Sequence, residues 1–563
     1  MNLKEKGLNY TIISKLIRIL IKEEEIKRNN IIIDRALKEG RSMKYVYKET
    51  RKRKFNDLKP EDIINWFEEI SGKERGTNID WKKEIKNHKE WTPITAKEVM
   101  DRIKKTKRKA CGPDGIYTEH LIVGDYQLTK ALSELYNQHG REIPKQMNEC
   151  NVILLKKSKE KMDVRPIALL QCFFKIYTGV LLKRIDKEIE KQLDDSQGGF
   201  RAGRNTNQQI LQFREIVSTC YEYKKDIYAI FIDFRKAFDS VNHTWITYSL
   251  AVAGIDEETI MRIQALYKNP KATFKTGVNE KSTTLTLKSG IRQGDTLSPK
   301  LFILLLQVVM NKVKKELEIL NEDEKRNLVQ LVKEGKTTES FKLEFADDIV
   351  IYTYDQKLTE KIAKFIEIHA GIVGLQINKK KTKMMGTEFK KKIEDPVYEV
   401  VDRYKYLGRT LTMDLRDDSL DFNERAKGAW RARYKANDLL RRTKDIRIKK
   451  KIYNMIIRPV FLYSIEAIRP TKSIILKYVN LEKKITQSIF RKEITLEKNV
   501  EDIIKERINK AQKPYRILLD ETWKRKPGRP PKKILEMNSM HNEKKLRTQP
   551  QRKAKNKTNY TED

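Results

Sequence analysis

Ile227-Tyr228-Ala229-Ile230-Phe231-Ile232-Asp233-Phe234 is an almost entirely apolar run with a single carboxylate near its C-terminal end. Short apolar runs of this kind form strands covered on both faces. A carboxylate placed in one is costly unless it is paired or bound to a metal. A second stretch, Leu343-Glu344-Phe345-Ala346-Asp347-Asp348-Ile349-Val350-Ile351-Tyr352, sets two adjacent aspartates between β-prone flanks. It predicts a hairpin with Asp347 and Asp348 at its tight turn. A turn also accommodates an Asp pair for purely structural reasons, through side-chain bonds to backbone. Two such segments in one strongly basic chain favour chemistry: if the strands are neighbours, Asp233, Asp347 and Asp348 converge where oxygen-loving Mg²⁺ would bind.

The basic character is large. The 563 residues carry 119 Lys and Arg against 79 Asp and Glu, a formal charge of +40, with 39% hydrophobic residues. That apolar share supports a sizeable core in a chain long enough for about three to five structural units. The charge calls for a polyanionic partner, nucleic acid before an anionic membrane surface. No segment approaches the roughly 18–20 apolar residues of a membrane helix; Leu301–Val309 is the most apolar and is too short. No small-residue cleavage site follows the amphipathic run Tyr10–Leu20, so a secretory signal is disfavoured and an intracellular setting, nucleus and cytoplasm, is expected. Cys111, Cys150, Cys172 and Cys220 are widely spaced and no histidine stands at ligand spacing from them, against a disulfide framework or a zinc site.

Residues 1–94 read as a helical, basic extension containing Arg51-Lys52-Arg53-Lys54, with an amphipathic helix over Asp62–Ile70 that places Ile63, Ile64, Trp66 and Phe67 on one face. Thr95-Ala96-Lys97-Glu98 is a capping box. Short strands and helices alternate from about 110 to 410, and the chain beyond 420 is helical and rich in Arg and Lys. Lys524–Lys557 holds 13 Lys and Arg against two Glu, the composition of a disordered tail.

Ordered blocks then carry a resemblance over roughly residues 95 to 470. They are Lys109-Ala110-Cys111-Gly112-Pro113-Asp114-Gly115-Ile116; Arg165-Pro166-Ile167-Ala168-Leu169-Leu170 with Lys175; Gln197-Gly198-Gly199-Phe200-Arg201-Ala202-Gly203-Arg204-Asn205-Thr206; and Phe231–Val241. Gly290-Ile291-Arg292-Gln293-Gly294-Asp295-Thr296-Leu297-Ser298-Pro299, Phe345-Ala346-Asp347-Asp348, Gly374–Asn378 with Lys381-Thr382, and Tyr406-Leu407-Gly408 complete the set. In kind and order they resemble the reverse transcriptases of non-LTR (LINE-type) retrotransposons. The resemblance implies an α+β right-hand polymerase: fingers over 95–225, a palm with an antiparallel sheet over 226–410 (with part of the fingers), a helical thumb over 411–500, and a basic, disordered tail over 501–563. One departure is Cys111, where the family often has Pro or Ala, a change without evident chemical cost.

The resemblance also implies roles. Asp233 and Asp347, with Asp348 beside them, would hold two Mg²⁺ ions (Mn²⁺ being the alternative), with the backbone carbonyl of Phe234 as a further ligand. Phe238 would pack under the nucleotide sugar and exclude a 2′-hydroxyl. Gln293 and Gly294 would floor the nucleotide site; as a purely structural feature, Gly290–Pro299 is a turn opening a helix at Ser298-Pro299. Arg165 would clamp the triphosphate, with Lys156 a weaker candidate that reads equally well as solvated surface. Lys381 would assist pyrophosphate departure, although Lys379 and Lys380 precede it. The implied partners are an RNA template, a DNA or RNA primer and dNTPs.

Phe422–Trp430 and Ile457–Glu466 resemble the thumb of the same class. The chain shows no recognisable endonuclease pattern on either side of the blocks, and a fragmentary or 5′-truncated element is the corresponding expectation. Lys526-Pro527-Gly528-Arg529-Pro530-Pro531-Lys532-Lys533 is similar to an AT-hook, though a stiffened basic tail accounts for it better. Two other functions fit parts of the pattern: a non-catalytic or domesticated RNA-binding protein, and a group II intron maturase-like splicing cofactor.

Overall fold

The computed structural model describes residues 60–510, apart from 87–89, 107–109, 125, 157–162, 277–280, 334–335, 416, 444, 468–470 and 492–495, together with 31–32, 35 and 516–517. The Arg51–Lys54 block, most of the N-terminal extension, and the Lys524–Lys557 tail with its AT-hook-like segment lie outside the described residues. The chain divides into two units, Met1–Arg525 and Lys526–Asp563, and all described elements belong to the first.

In chain order, helix Pro60–Ile70 buries Ile63, Trp66, Phe67 and Ile70 and leaves Ile64 half-buried. The capping box at Thr95 and Glu98 opens helix Ala96–Lys105. Strands β1 (Glu149–Lys156) and β2 (Val164–Leu170) form a hairpin. Helices Cys172–Gln192 and Thr206–Tyr223 lead to β3 (Tyr228–Ile232), and β4 (Lys271–Thr276) and β5 (Lys281–Thr286) form another hairpin. Helix Ser298–Glu318 precedes β6 (Val329–Lys333), β7 (Lys336–Ser340), β8 (Lys342–Phe345) and β9 (Asp348–Thr353). Helix Gln356–Ile372 precedes β10 (Lys383–Gly386), β11 (Glu399–Val400), β12 (Tyr404–Tyr406) and β13 (Arg409–Leu411).

The central sheet has the order β11-β10-β3-β9-β8, and a second sheet has the order β2-β1-β4-β5. β3 lies between two neighbours, antiparallel to both β9 and β10, and all five of its residues are buried. Its side chains alternate between two cores. Tyr228, Ile230 and Ile232 join the main core with helix Ser298–Glu318, whereas Ala229 and Phe231 join Ile210, Phe213 and Val217 of helix Thr206–Tyr223. Period-two alternation with both faces covered is why this strand reads as an unbroken apolar run. The Leu301–Val309 run is buried within its helix. Among the described residues no helix is long and apolar enough to cross a membrane.

Helices Asp417–Lys435, Lys472–Phe490 and Val500–Lys510 enclose a separate core that includes Ala429, Tyr453, Phe461, Tyr478, Ile485 and Ile504. Here one expectation needs correcting. Residues 501–510 belong to an ordered helix and not to a disordered tail. Val500, Ile504 and Ile508 recur every four residues and are buried, a stripe outweighed in composition by the charges between them.

Under the β8–β9 hairpin sits a buried ionic group. Lys342, 3% exposed, bonds Glu344, 1% exposed, at 2.5 Å and Asp194 at 3.1 Å, and Lys314 reaches Asp194 at 2.7 Å. The two lysines hold the Asp194 carboxyl well below the usual carboxylate range against the opposing effect of its burial. Lys342→Met should cost about 3–5 kcal/mol in chemical denaturation because it strands buried carboxylates. Adding Glu344→Leu should recover part of that loss.

Candidate active site

The β8–β9 hairpin turns through Ala346 and Asp347, with Phe345 opposite Asp348. Ala346 has φ +58°, a left-handed conformation that a side chain makes unfavourable. Its position is nonetheless over-determined. Its N–H donates to Gln197 Oε1 at 2.9 Å, and the same oxygen accepts from Gly199 N–H at 2.7 Å. Gly198 N–H donates to Glu344 O at 2.8 Å, and Glu344 N–H to Ser196 O at 3.0 Å. A Cβ on Gly199 would stand 2.2 Å from Ala346 N, so only glycine lets this segment lie against the aspartate turn.

Asp233 follows directly after β3. The last β3–β9 pair is Ile232 with Ile349, so Asp233, just past β3, and Asp348, the first residue of β9, stand at the same end of the sheet, each one residue beyond that pair. A second segment straps Asp233 in place. Its N–H donates to Thr382 Oγ1 at 3.3 Å, its carbonyl accepts from Asn378 N–H at 2.7 Å, and Arg235 N–H donates to Gln376 O at 2.8 Å. Phe234, buried, bridges Ile377.

The three carboxylates interact. The Asp348 carboxyl is pushed up to about 6, first by desolvation and then by the charges of Asp347 and Asp233. Its side chain remains open to solvent, so the desolvation is partial. Tyr404 is pushed up to about 12 by burial and by the Asp348 and Asp233 charges, and Tyr406 is raised by burial and Asp348, so β12 borders the same cluster. Among the described residues, no three His, Cys, Asp or Glu side chains are drawn together as a ready-made ligand cage. The donor chemistry still suits a hard divalent cation, which takes oxygen ligands and would relieve the like-charge repulsion.

The remaining predicted residues fall around this end of the sheet or on the neighbouring one. Phe238 is half-buried between two rings, stacked on Phe302 at 4.5 Å and edge-on to Phe200 at 6.0 Å. Gln293 donates from Nε2 to the Asp239 carboxylate at 3.1 Å and accepts from Ala168 N–H at 2.7 Å. Gly294 has φ +132°, and a Cβ there would meet Ala168 O at 2.4 Å, so its exposed backbone lies against β2. Arg165 is exposed on β2 and paired with exposed Leu155, whereas Lys156 is paired with buried Val164. Paired residues share a face and consecutive ones alternate, so Arg165 and Lys156 point to opposite faces of the sheet. Lys379 pairs with Glu367 at 3.1 Å, and Lys380 and Lys381 are exposed on the strap that holds Asp233. Sequence reasoning gave Gln197 and Thr382 no function of their own, because their partners lie about 150 residues away in the chain.

Residues 154–411 match the protein family described as "Reverse transcriptase (RNA-dependent DNA polymerase)". Residues 154–411 are thus a reverse transcriptase domain, and the relatives it resembles are proteins of non-LTR retrotransposons. The chain is 26% identical over 344 residues to the Retrovirus-related Pol polyprotein from type-1 retrotransposable element R2 of Nasonia vitripennis, covering 58% of this chain and 31% of that protein. It is 24% identical over 401 residues to the RNA-directed DNA polymerase from mobile element jockey of Drosophila funebris, covering 66% and 41%. The chain thus spans about a third of the length of the R2 proteins it matches. The structure of apo telomerase from Candida tropicalis aligns with a TM-score of 0.40 at 13% identity, over 66% of this chain and 65% of that one.

The raised Asp348 carboxyl has a stability consequence. A carboxyl raised in the folded state favours folding while protonated; that contribution is complete below the unfolded value near 4 and is lost as pH rises through about 6. Metal-free Asp348→Asn should therefore be more stable than wild type above about pH 6 and equal to it below about pH 4. Solvent screening trims the difference to about 1 kcal/mol. Thermal unfolding in a chelator across this range checks it.

Proposed function

We propose that this chain is an RNA-directed DNA polymerase that extends a primer 3′-hydroxyl with dNTPs along an RNA template. The observation that carries this reading is the meeting of Asp233, Asp347 and Asp348 at one end of the central sheet in a reverse transcriptase domain. On this reading the central sheet is the palm, the β2-β1-β4-β5 sheet belongs to the fingers, and the thumb reaches Lys510. An intracellular setting in nucleus and cytoplasm goes with it.

Asp233, Asp347, Asp348 and the Phe234 carbonyl would hold two Mg²⁺ ions, which when bound activate the attacking hydroxyl and stabilise the leaving oxygen. The chain's own residues supply the rest. Arg165, on the open face of its sheet, meets the triphosphate with a planar fork of donors; Lys156, on the opposite face, serves less directly. The exposed backbone of Gly294, braced by Gln293, forms a floor that nucleotide or template can approach closely. Phe238, wedged between Phe200 and Phe302, sets a rigid wall beneath the sugar. Lys381, beside the Asp233 strap, offers a proton and a positive charge to departing pyrophosphate. The surplus of positive charge holds the template and primer backbones.

Purified protein with a primed RNA template, dNTPs and Mg²⁺ should extend the primer. Asp347→Ala with Asp348→Ala should abolish extension, a loss of at least about 10²–10³-fold, while salt-dependent RNA binding persists. A wild type that binds RNA but extends nothing would point to a non-catalytic RNA-binding protein. Phe238→Val should raise rNTP relative to dNTP incorporation by about 10–200-fold, read from single-nucleotide extension.

A further inference from the structure

The turn joining β12 to β13 is held from outside its own sheet. Its residues Leu407 and Gly408 have φ +47° and +82°. Tyr463 Oη donates to Leu407 O at 2.9 Å, and Arg425 Nη2 donates to Gly408 O. Both donors come from the helical C-terminal region, Arg425 from helix Asp417–Lys435 and Tyr463 from the loop after helix Arg458–Phe461. They also contact each other, with the guanidinium 4.8 Å from the Tyr463 ring centroid. The Tyr463 hydroxyl lies 3.1 Å from Thr206 Oγ1, at the start of the helix that follows the Gln197–Asn205 segment. One hydroxyl therefore joins the thumb, the 407–408 turn, and the helix whose leading segment braces Ala346.

The other end of the hairpin reaches the carboxylates. Tyr404 stacks on Phe231 at 4.3 Å, and Phe231 is two residues from Asp233 on β3. The thumb side is stiff. Arg409, fully buried, bonds Asp418 and Asp421 at 3.3 Å each, Arg214 bonds Asp418 at 2.9 Å, and Arg425 bonds Asp421 at 3.2 Å. Thr410 N–H donates to Asp421 at 3.1 Å. These bonds tie helix Asp417–Lys435 directly to β13. By contrast, the Tyr463 and Arg425 contacts to the turn are each a single bond at its edge.

We propose that Tyr463, together with Arg425, is a positioning residue that couples the thumb's hold on nucleic acid to the geometry of the Asp233–Asp347–Asp348 site through the Leu407-Gly408 turn. The inference rests on the polymerase reading above for what the thumb holds. Tyr463 touches neither the carboxylates nor the reacting atoms; it fixes a turn whose strands border them.

Tyr463→Phe removes one hydroxyl from a side chain 36% exposed and keeps the ring beneath Arg425, so the fold should survive it. Primer extension should show kcat reduced about three- to tenfold, with KM for primer–template and melting temperature unchanged. Tyr126→Phe, on an exposed tyrosine outside the thumb, should match wild type. Arg425→Lys should lower kcat, and the double variant should lose less than the product of the two separate losses, because both act on one turn. Hydrogen exchange of the 404–411 peptide supplies a readout that needs no turnover. A primer–RNA duplex should slow exchange there in wild type and fail to do so in Tyr463→Phe. An unchanged kcat, a kcat loss that tracks a fall in melting temperature, fully multiplicative losses, or equal duplex protection in both proteins would overturn the proposal. A wild type that does not extend primers counts against the polymerase reading, while the exchange experiment still decides the coupling.

Discussion

Like-charge repulsion among Asp233, Asp347 and Asp348 is the constraint around which the rest of the structure is arranged. Carboxylates left to themselves would swing apart into solvent, yet the end of β3 and the β8–β9 turn keep the three at one end of the sheet, where desolvation and the neighbouring charges raise the Asp348 carboxyl. Rigid backbone makes this possible. β3 is pinned between β9 and β10 and buried on both faces, so its end cannot drift. The Asn378–Thr382 strap holds Asp233 by its amide and carbonyl, and the Gln197 amide holds Ala346 in a conformation it would not choose alone. The conformational cost is met by packing elsewhere, as is common where a site stores strain.

Much of this was legible in the sequence, for reasons that are physical. The Ile227–Phe234 run announces a doubly covered strand because burial on two faces leaves no polar alternation. The Asp347-Asp348 pair between β-prone flanks announces a hairpin, and the register confirms both elements. The arrangement around them was less legible. Gln197 and Thr382 look like any polar residues until the fold brings distant segments together. Helix Val500–Lys510 was hidden because its apolar stripe is three residues in a charge-dense stretch. Arg165 and the weaker candidate Lys156 were read for one role, and only strand pairing shows that they occupy opposite faces of one sheet.

The charges of this chain divide into two populations with different work. Arg409, Arg214, Lys342, Asp194, Asp418 and Asp421 are locked in buried or half-buried ion pairs that fix how helices meet sheets. Removing one partner of such a pair is far costlier than the pair's net worth, so they act as registers more than as sources of stability. The exposed lysines and arginines make up the surplus that a polyanion would neutralise. A composition count merges the two populations, and only the structure separates them.

On the polymerase reading Asp233, from one strand, and Asp347 and Asp348, from a hairpin more than 110 residues later, jointly hold the two divalent cations. Titration of Mn²⁺ followed by electron paramagnetic resonance, with the full chain and no nucleic acid, tests it directly. Binding that is weakened by Asp233→Asn and by Asp347→Asn alike, with no further loss on combining them, is the expected result. Mn²⁺ binding that either substitution leaves at the wild-type level would contradict it.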